Sequence, residues 1–359
     1  MEAVSFERVM NFNFGRADVG RMDVIDDRLY YSNIVTPGYF DKTGTQVQYG
    51  TKHYDMRFGH IFTKDFMVGV SENRRSLIFL PNIGFASNKI IYLNALNIPD
   101  LQGDLLLMRG WSEVPNFSLN GNYLLSSWEL PLDASREDAG KGVFLLELNM
   151  SGTEGGLVLD RDQPVLRRIP LGFAIEKEMK PIYQIITAFP FEQGWLASIN
   201  VDGVQTSVKI EKDGRIDLLQ NRLERFVLYS VERSSQGELF VSDEDGLLYS
   251  ESGNPFELVR IATVNRFLRF KFLEDRVVVW TAEDRIFELK DFRDVSKIRL
   301  VELENKGLEG IQVKDVELFN GSVYVSTNGG FFVKEEADFW AEKVESIDPS
   351  MGIGWELSF

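Results

Sequence analysis

The sequence has no cysteine, which excludes disulfides, Cys-ligated zinc and thiol catalysis. Histidine is nearly absent too. His53 and His60 are the two in 359 residues, and seven residues apart they fall on opposite faces of a straight strand. A shared metal would need a turn between them at Gly59, so structural or surface roles are expected. No metal site and no cofactor are expected. No run of ~18 apolar residues occurs, so no membrane span is expected. The N-terminal stretch MEAVSFERVMNFNFGR lacks a basic start followed by an apolar run. The chain therefore reads as cytoplasmic if that terminus is native, and as exported if a leader has been removed.

Basic runs are missing as well. Arg74-Arg75 and Arg167-Arg168 are the longest, and 39 Lys and Arg face 55 Asp and Glu for a formal charge of -16. Such a chain repels phosphate backbones, so nucleic acid is not an expected partner. Gly152-Thr153-Glu154-Gly155-Gly156 lacks the Lys-Ser/Thr of a phosphate loop, and no Gly-x-Ser-x-Gly elbow occurs. Asp243-Glu244-Asp245-Gly246 is the nearest fragment of a calcium loop, and a hairpin turn explains it better. The turn carboxylates Asp26, Asp27, Asp243, Asp245, Glu283 and Asp284 are read as caps of their own backbone, not as catalytic groups.

What is present is a recurring unit. Hydrophobic residues are 44% of the chain, enough for a core, with 27 Phe and 11 Tyr favouring strands. A Gly- or Asp-bearing turn leads into an apolar strand, then a second turn, then another apolar strand. Gly237, Asp275 and Gly321 mark the clearest copies. Asp27, Asp65, Gly121 and Gly194 mark four weaker ones. The spacing averages about 49 residues, the length of a four-stranded propeller blade. The chain therefore reads as all-β: a seven-bladed β-propeller of four-stranded antiparallel blades, one domain over 1–359. Six or eight blades and a β-sandwich are the alternatives. Residues 146–183 read as a long connection with a strand or two. Val4–Val9 and Ile353–Phe359 are both candidates for the strand that closes the ring.

Two units resemble blades of the BNR or Asp-box propellers, the group that includes sialidases and sortilin-like proteins. In one, Gly246-Leu247-Leu248-Tyr249-Ser250-Glu251-Ser252-Gly253 runs into Phe256-Glu257-Leu258-Val259. In the other, Gly330-Phe331-Phe332-Val333-Lys334-Glu335-Glu336 runs into Trp340–Val344. Ser252 and Glu336 stand where the family has Asp. The box is a structural turn in that family, so the resemblance implies fold and carries no activity.

The functional expectation rests on loops. If each marker strand is the second of its blade, the turn that follows is short in the last three units. It expands to Asn33–Gly44 in the first and to Leu130–Lys141 in the third, with Glu72–Arg75 between them. Long loops on a rigid scaffold are where binding usually resides. A non-enzymatic binding or assembly module for a protein or glycan partner is expected. Tyr39, Phe40, Arg74, Arg75, Trp128 and Arg136 are its expected anchors. The alternative is a carbohydrate-active enzyme, a glycoside hydrolase or lyase, with carboxylates of raised pKa in the central channel.

Overall fold

The computed structural model describes residues 4–9, 19–33, 37–48, 56–71, 73–81, 90–99, 106–107, 117–129, 142–153, 156–175, 178–201, 203–219, 226–263, 268–281, 285–294 and 297–343. Six antiparallel sheets of four strands and one of five give a seven-bladed β-propeller. The chain divides into two compact units, one of Met1–Asn33, Gly38–Val47 and Leu228–Phe359, the other of Ile34–Pro37 and Gln48–Val227.

The first unit holds four blades. Blade one is Val19–Ile25, Arg28–Asn33, Gly38–Asp41 and Gln46–Gln48. Blade five is Ser230–Arg233, Leu239–Asp243, Gly246–Ser250 and Val259–Thr263. Blade six is Leu268–Leu273, Arg276–Thr281, Ile286–Lys290 and Arg299–Glu302. Blade seven is Val313–Phe319, Ser322–Thr327 and Gly330–Glu335, and its fourth strand is Glu7–Arg8 from the other end of the chain. Glu7 pairs with Val333 and Arg8 with Phe332. The N-terminal segment is therefore the one that completes a blade. It removes an exposed edge that would otherwise invite pairing with another chain.

The second unit holds three blades. Blade two is Met56–Phe62, Phe66–Ser71, Ser76–Pro81 and Ile91–Asn94. In blade three, Leu106–Leu107 and Phe117–Asn120 both pair with Tyr123–Glu129, followed by Gly142–Leu148 and Val165–Pro170. Blade four is Gln184–Phe191, Gly194–Val201, Val204–Glu211 and Ile216–Leu218. The stretch read as a long connection holds the fourth strand of blade three and two extra hairpins, Met150–Thr153 with Gly156–Leu159 and Gly172–Ile175 with Glu178–Pro181.

All seven markers fall at or just before a second strand, and that strand is buried on both faces. In blade six, Val277 and Val279 pack toward blade five, while Val278 and Trp280 pack toward blade seven. In blade three, Leu124 faces blade two and Leu125 faces blade four. Successive side chains of a strand point oppositely, so a strand between two neighbours must be apolar at every position. This is why Val277-Val278-Val279-Trp280 does not alternate. Each fully buried Val or Leu contributes roughly 1.5–3 kcal/mol.

Third strands begin on glycine in several blades. At Gly246 the backbone sits at φ 141°, and a Cβ there would lie 2.1 Å from the carbonyl oxygen of Ala262 on the fourth strand. Among the described residues no helix is long and apolar enough to cross a membrane.

Two sequence expectations are corrected. Gly38–Asp41 is the third strand of blade one, so the connection before it is residues 34–37, not a loop to Gly44. The two Asp-box-like tails also differ. The fourth strand of blade five starts at Val259, leaving Phe256 in the preceding turn and 46% exposed. After Gly330–Glu335 comes a helix, Glu336–Phe339, and then Glu342 bridges Leu303 at the edge of blade six.

A charged cluster on the first strands of one unit

The first strand of a blade has its second strand on one side and a free edge on the other. In a propeller that edge faces the axis. In the first unit these strands carry charge at alternate positions: Arg21 and Asp23 in blade one, Glu232 in blade five, Arg269 and Lys271 in blade six, Asp315 and Glu317 in blade seven. Period two places each pair on one face of its strand.

These groups meet. Asp315 Oδ2 accepts the backbone N–H of Met22 at 2.6 Å, and Lys271 Nζ donates to the Met22 carbonyl at 3.1 Å. The pairing of Val19–Ile25 with its neighbour shifts register between Val19 and Met22. Side chains of blades six and seven thus satisfy backbone groups of blade one that the ladder leaves open. Lys271 also pairs with Glu317, and lies 3.7 Å from Asp315. Arg21 donates to Asp23 from Nε at 3.1 Å and from Nη2 at 2.9 Å. Arg269 turns away to the Lys314 carbonyl at 2.9 Å. The cluster is not sealed: the Arg21 side chain is 50% exposed, whereas that of Asp315 is 10% exposed.

Its electrostatics are unusual. Burial pushes the Glu232 carboxyl up to about 7, with Lys271 and Arg21 pulling it down and Asp315 and Asp23 adding to the rise. Burial also pushes Glu317 up to about 7, opposed by Lys271. Burial disfavours the Lys271 ammonium, yet Asp315, Glu317, Asp23 and Glu232 together hold it above the ordinary lysine range. Perturbed titration in a partly open cluster of this kind is a mark of functional sites.

Two of the expected anchors, Phe40 and Trp128, are buried. Phe40 is buried in the layer between blades seven and one, with Tyr31 and Phe331. Trp128 is fully buried between blades two and three, and its indole N–H donates to Ser126 Oγ at 3.0 Å. Both are core residues, so neither can anchor a partner on a loop. Tyr39 is half-buried in the third strand of blade one, under the guanidinium of Arg28 at 4.5 Å from its ring centroid. Arg74 joins two blades: its carbonyl accepts the Leu107 N–H at 2.7 Å, and its guanidinium donates back to the Leu107 carbonyl at 3.1 Å. Arg75 lies exposed in the turn after Phe66–Ser71. Arg136 falls outside the described residues, with His53, Glu283, Asp284 and residues 353–359. His60 lies in the first strand of blade two.

Two of the turn carboxylates have partners within the fold. Asp243 is buried, accepts the N–H groups of Asp245 and Gly246, and takes both guanidinium nitrogens of Arg260 at 3.0 and 2.5 Å. Asp27 pairs with Lys42 at the surface. Among the described residues no three His, Cys, Asp or Glu converge as a metal site. Sequence reading missed the first-strand cluster. Its signal was the alternation Arg-Met-Asp, Arg-Phe-Lys and Asp-Val-Glu on strands just upstream of the markers.

No family model matches this sequence, and no curated protein matches it. Solved structures do match. One is the extracellular domain of the hybrid two-component system BT4673 from B. thetaiotaomicron, at TM-score 0.55 and 9% identity, covering 92% of this chain and 39% of that one. This chain thus spans about two fifths of that protein's length. Another is a streptogramin B lyase, at TM-score 0.53 and 12% identity, covering 91% of this chain and 96% of that one. A third is YCF48 bound to the D1 peptide, at TM-score 0.49 and 11% identity, covering 93% and 96%. The first two share the β-propeller fold with this chain. At these identities the matching structures assign no function here.

Proposed function

We propose that this chain is a non-enzymatic binding or assembly module, and that it takes a protein or glycan partner at the first-strand cluster of the first unit. One observation carries the reading. Six ionisable side chains from four blades face one another in a partly open space where apolar packing would be simpler. Desolvating that many charges costs stability unless their arrangement serves recognition or specificity. Most of them are engaged within the cluster, which favours holding a partner over turning one over. Arg75, in its exposed turn, stays a separate candidate for partner contact.

The test is a peptide and glycan library screened against the wild type and against Lys271→Met/Glu317→Gln, which removes both members of the Lys271–Glu317 ion pair. Binders lost in the variant support the reading. Binders retained at equal affinity contradict it. Circular dichroism checks that the variant is folded.

A second reading, a glycoside hydrolase or lyase, is favoured by the two glutamates pushed to about 7, since a general acid must keep its proton near neutral pH. It requires product release from a library member, with a rate inflection near pH 7 that Glu232→Gln abolishes.

A further inference from the structure

The edge of blade seven is closed unlike any other. Every other blade takes its fourth strand from the chain that follows its third, so that strand cannot leave without its blade. The closing strand of blade seven comes from the opposite end of the chain, and its ladder is two residues long, Glu7 and Arg8. One side chain anchors it. Phe6 is 6% exposed, and none of the other residues from 4 to 9 is buried. The Phe6 ring meets Phe339 edge-on at 6.2 Å between centroids, with the buried Lys334 ammonium 5.0 Å from its own centroid. Its N–H donates to the Lys306 carbonyl at 2.8 Å. Gly307, at φ 99°, packs so closely that a Cβ there would lie 2.9 Å from the Phe6 carbonyl oxygen. Beyond Phe6, the Val9 N–H donates to the Phe331 carbonyl at 3.0 Å, and Arg8 Nη2 to the Gly329 carbonyl at 2.7 Å. Val4 and Val9, at the two ends of the segment, are 49% and 39% exposed, so closure within one chain leaves both in water.

We infer that the outer edge of blade seven is a strand-acceptor site that takes residues 4–9 from a second copy of this chain as well as from its own, giving a dimer by exchange of the closing strand. The inference is independent of the first-strand cluster. The site itself specifies the occupant: an aromatic ring between Phe339 and Lys334, and a backbone that fits against Gly307. The same segment from another copy makes every one of these contacts, so exchange sacrifices none of them and opposes only the entropy of association. Nine residues separate Val9 from Val19 in the sequence, a reach of up to about 30 Å. A tethered segment has an effective concentration of millimolar order, so at ~100 μM protein the exchanged form occupies on the order of a tenth of the edges. Main-chain pairing supplies the affinity of such an added strand, and the aromatic anchor supplies its specificity.

The chain has no cysteine, so the exchange can be trapped between introduced thiols. Full-length Glu7→Cys and Val333→Cys chains, whose thiols stand at opposed positions of the ladder, are mixed at ~100 μM with a short bismaleimide cross-linker. Mass spectrometry follows the rate of heterodimer formation. Asp213→Cys, in an exposed turn of blade four, replaces Val333→Cys as the collision control. Heterodimers are expected to form about tenfold faster or more with Val333→Cys than with the control. Phe6→Ala added to the Glu7→Cys chain is expected to slow the reaction about threefold or more, because the donated strand loses its anchor. Phe6→Ala added instead to the Val333→Cys chain is expected to speed it about threefold or more, because the acceptor's own strand releases the edge. Arg8→Ala, an exposed substitution, is expected to shift both rates in the same directions and keeps the test valid if Phe6→Ala disturbs the fold. A rate no greater than the control's, or one indifferent to which chain carries the substitution, overturns the inference.

Discussion

At the residue scale, burial decides which aromatic and charged side chains are free to act. Trp128 and Phe40 are types favoured in binding interfaces, yet both fill layers between blades. Trp128→Ala and Phe40→Ala are each expected to destabilise by about 3–5 kcal/mol, because truncating a buried aromatic loses transfer energy and leaves a cavity. Urea unfolding of the two variants checks this. A loss of affinity with unchanged stability would show that the residue is not core. Buried Glu238 makes the opposite point about charge. It accepts from Tyr249, Ser234 and both Nε and Nη2 of Arg293, which holds its carboxyl below the usual range. Its partners are complete, so it stabilises and does not recruit.

At the element scale, two devices hold blades together. The first is glycine at the head of a third strand. Gly246→Ala places a methyl group 2.1 Å from the Ala262 carbonyl oxygen at a φ that L residues avoid. A cost of about 2–3 kcal/mol is expected from the strain, read as a lower melting temperature. The second is closure of blade seven by Glu7–Arg8. Deleting residues 1–9 bares the edge of Gly330–Glu335, so lower stability and concentration-dependent self-association are expected in light scattering. A monomeric, equally stable deletion would contradict the closure. The sequence made second strands legible because runs such as Val277-Val278-Val279-Trp280 admit one explanation, burial on both faces. It hid the third strand of blade one, since Pro37-Gly38 reads as a turn and Gly38–Asp41 is only four residues long. It hid the cluster for a different reason. Charged residues alternating on a short strand are indistinguishable from a solvated face until topology turns four such strands toward one another.

At the scale of the whole molecule, the cluster ties stability to pH. Glu232 and Glu317 have folded values of about 7, raised above the ordinary 4.5. The folded state therefore binds more protons than the unfolded state between those values. Their contribution is fully present below about 4.5 and is lost as pH rises through 7. Glu238 runs the other way: its value is lowered, so its contribution is lost as pH falls below the usual carboxylate range. Melting temperature is thus expected to decline from pH 5.5 to pH 8, and Glu232→Gln/Glu317→Gln is expected to flatten that decline. A slope unchanged in the double variant would place the titration elsewhere.

The central claim is that recognition resides in the first-strand cluster. Its most direct test is the affinity of one selected binder for the wild type and for Asp23→Asn/Glu232→Gln at pH 8, measured by calorimetry. The account predicts binding weaker by at least tenfold, about 1.4 kcal/mol, with the fold intact. Equal affinity in a folded variant would contradict it.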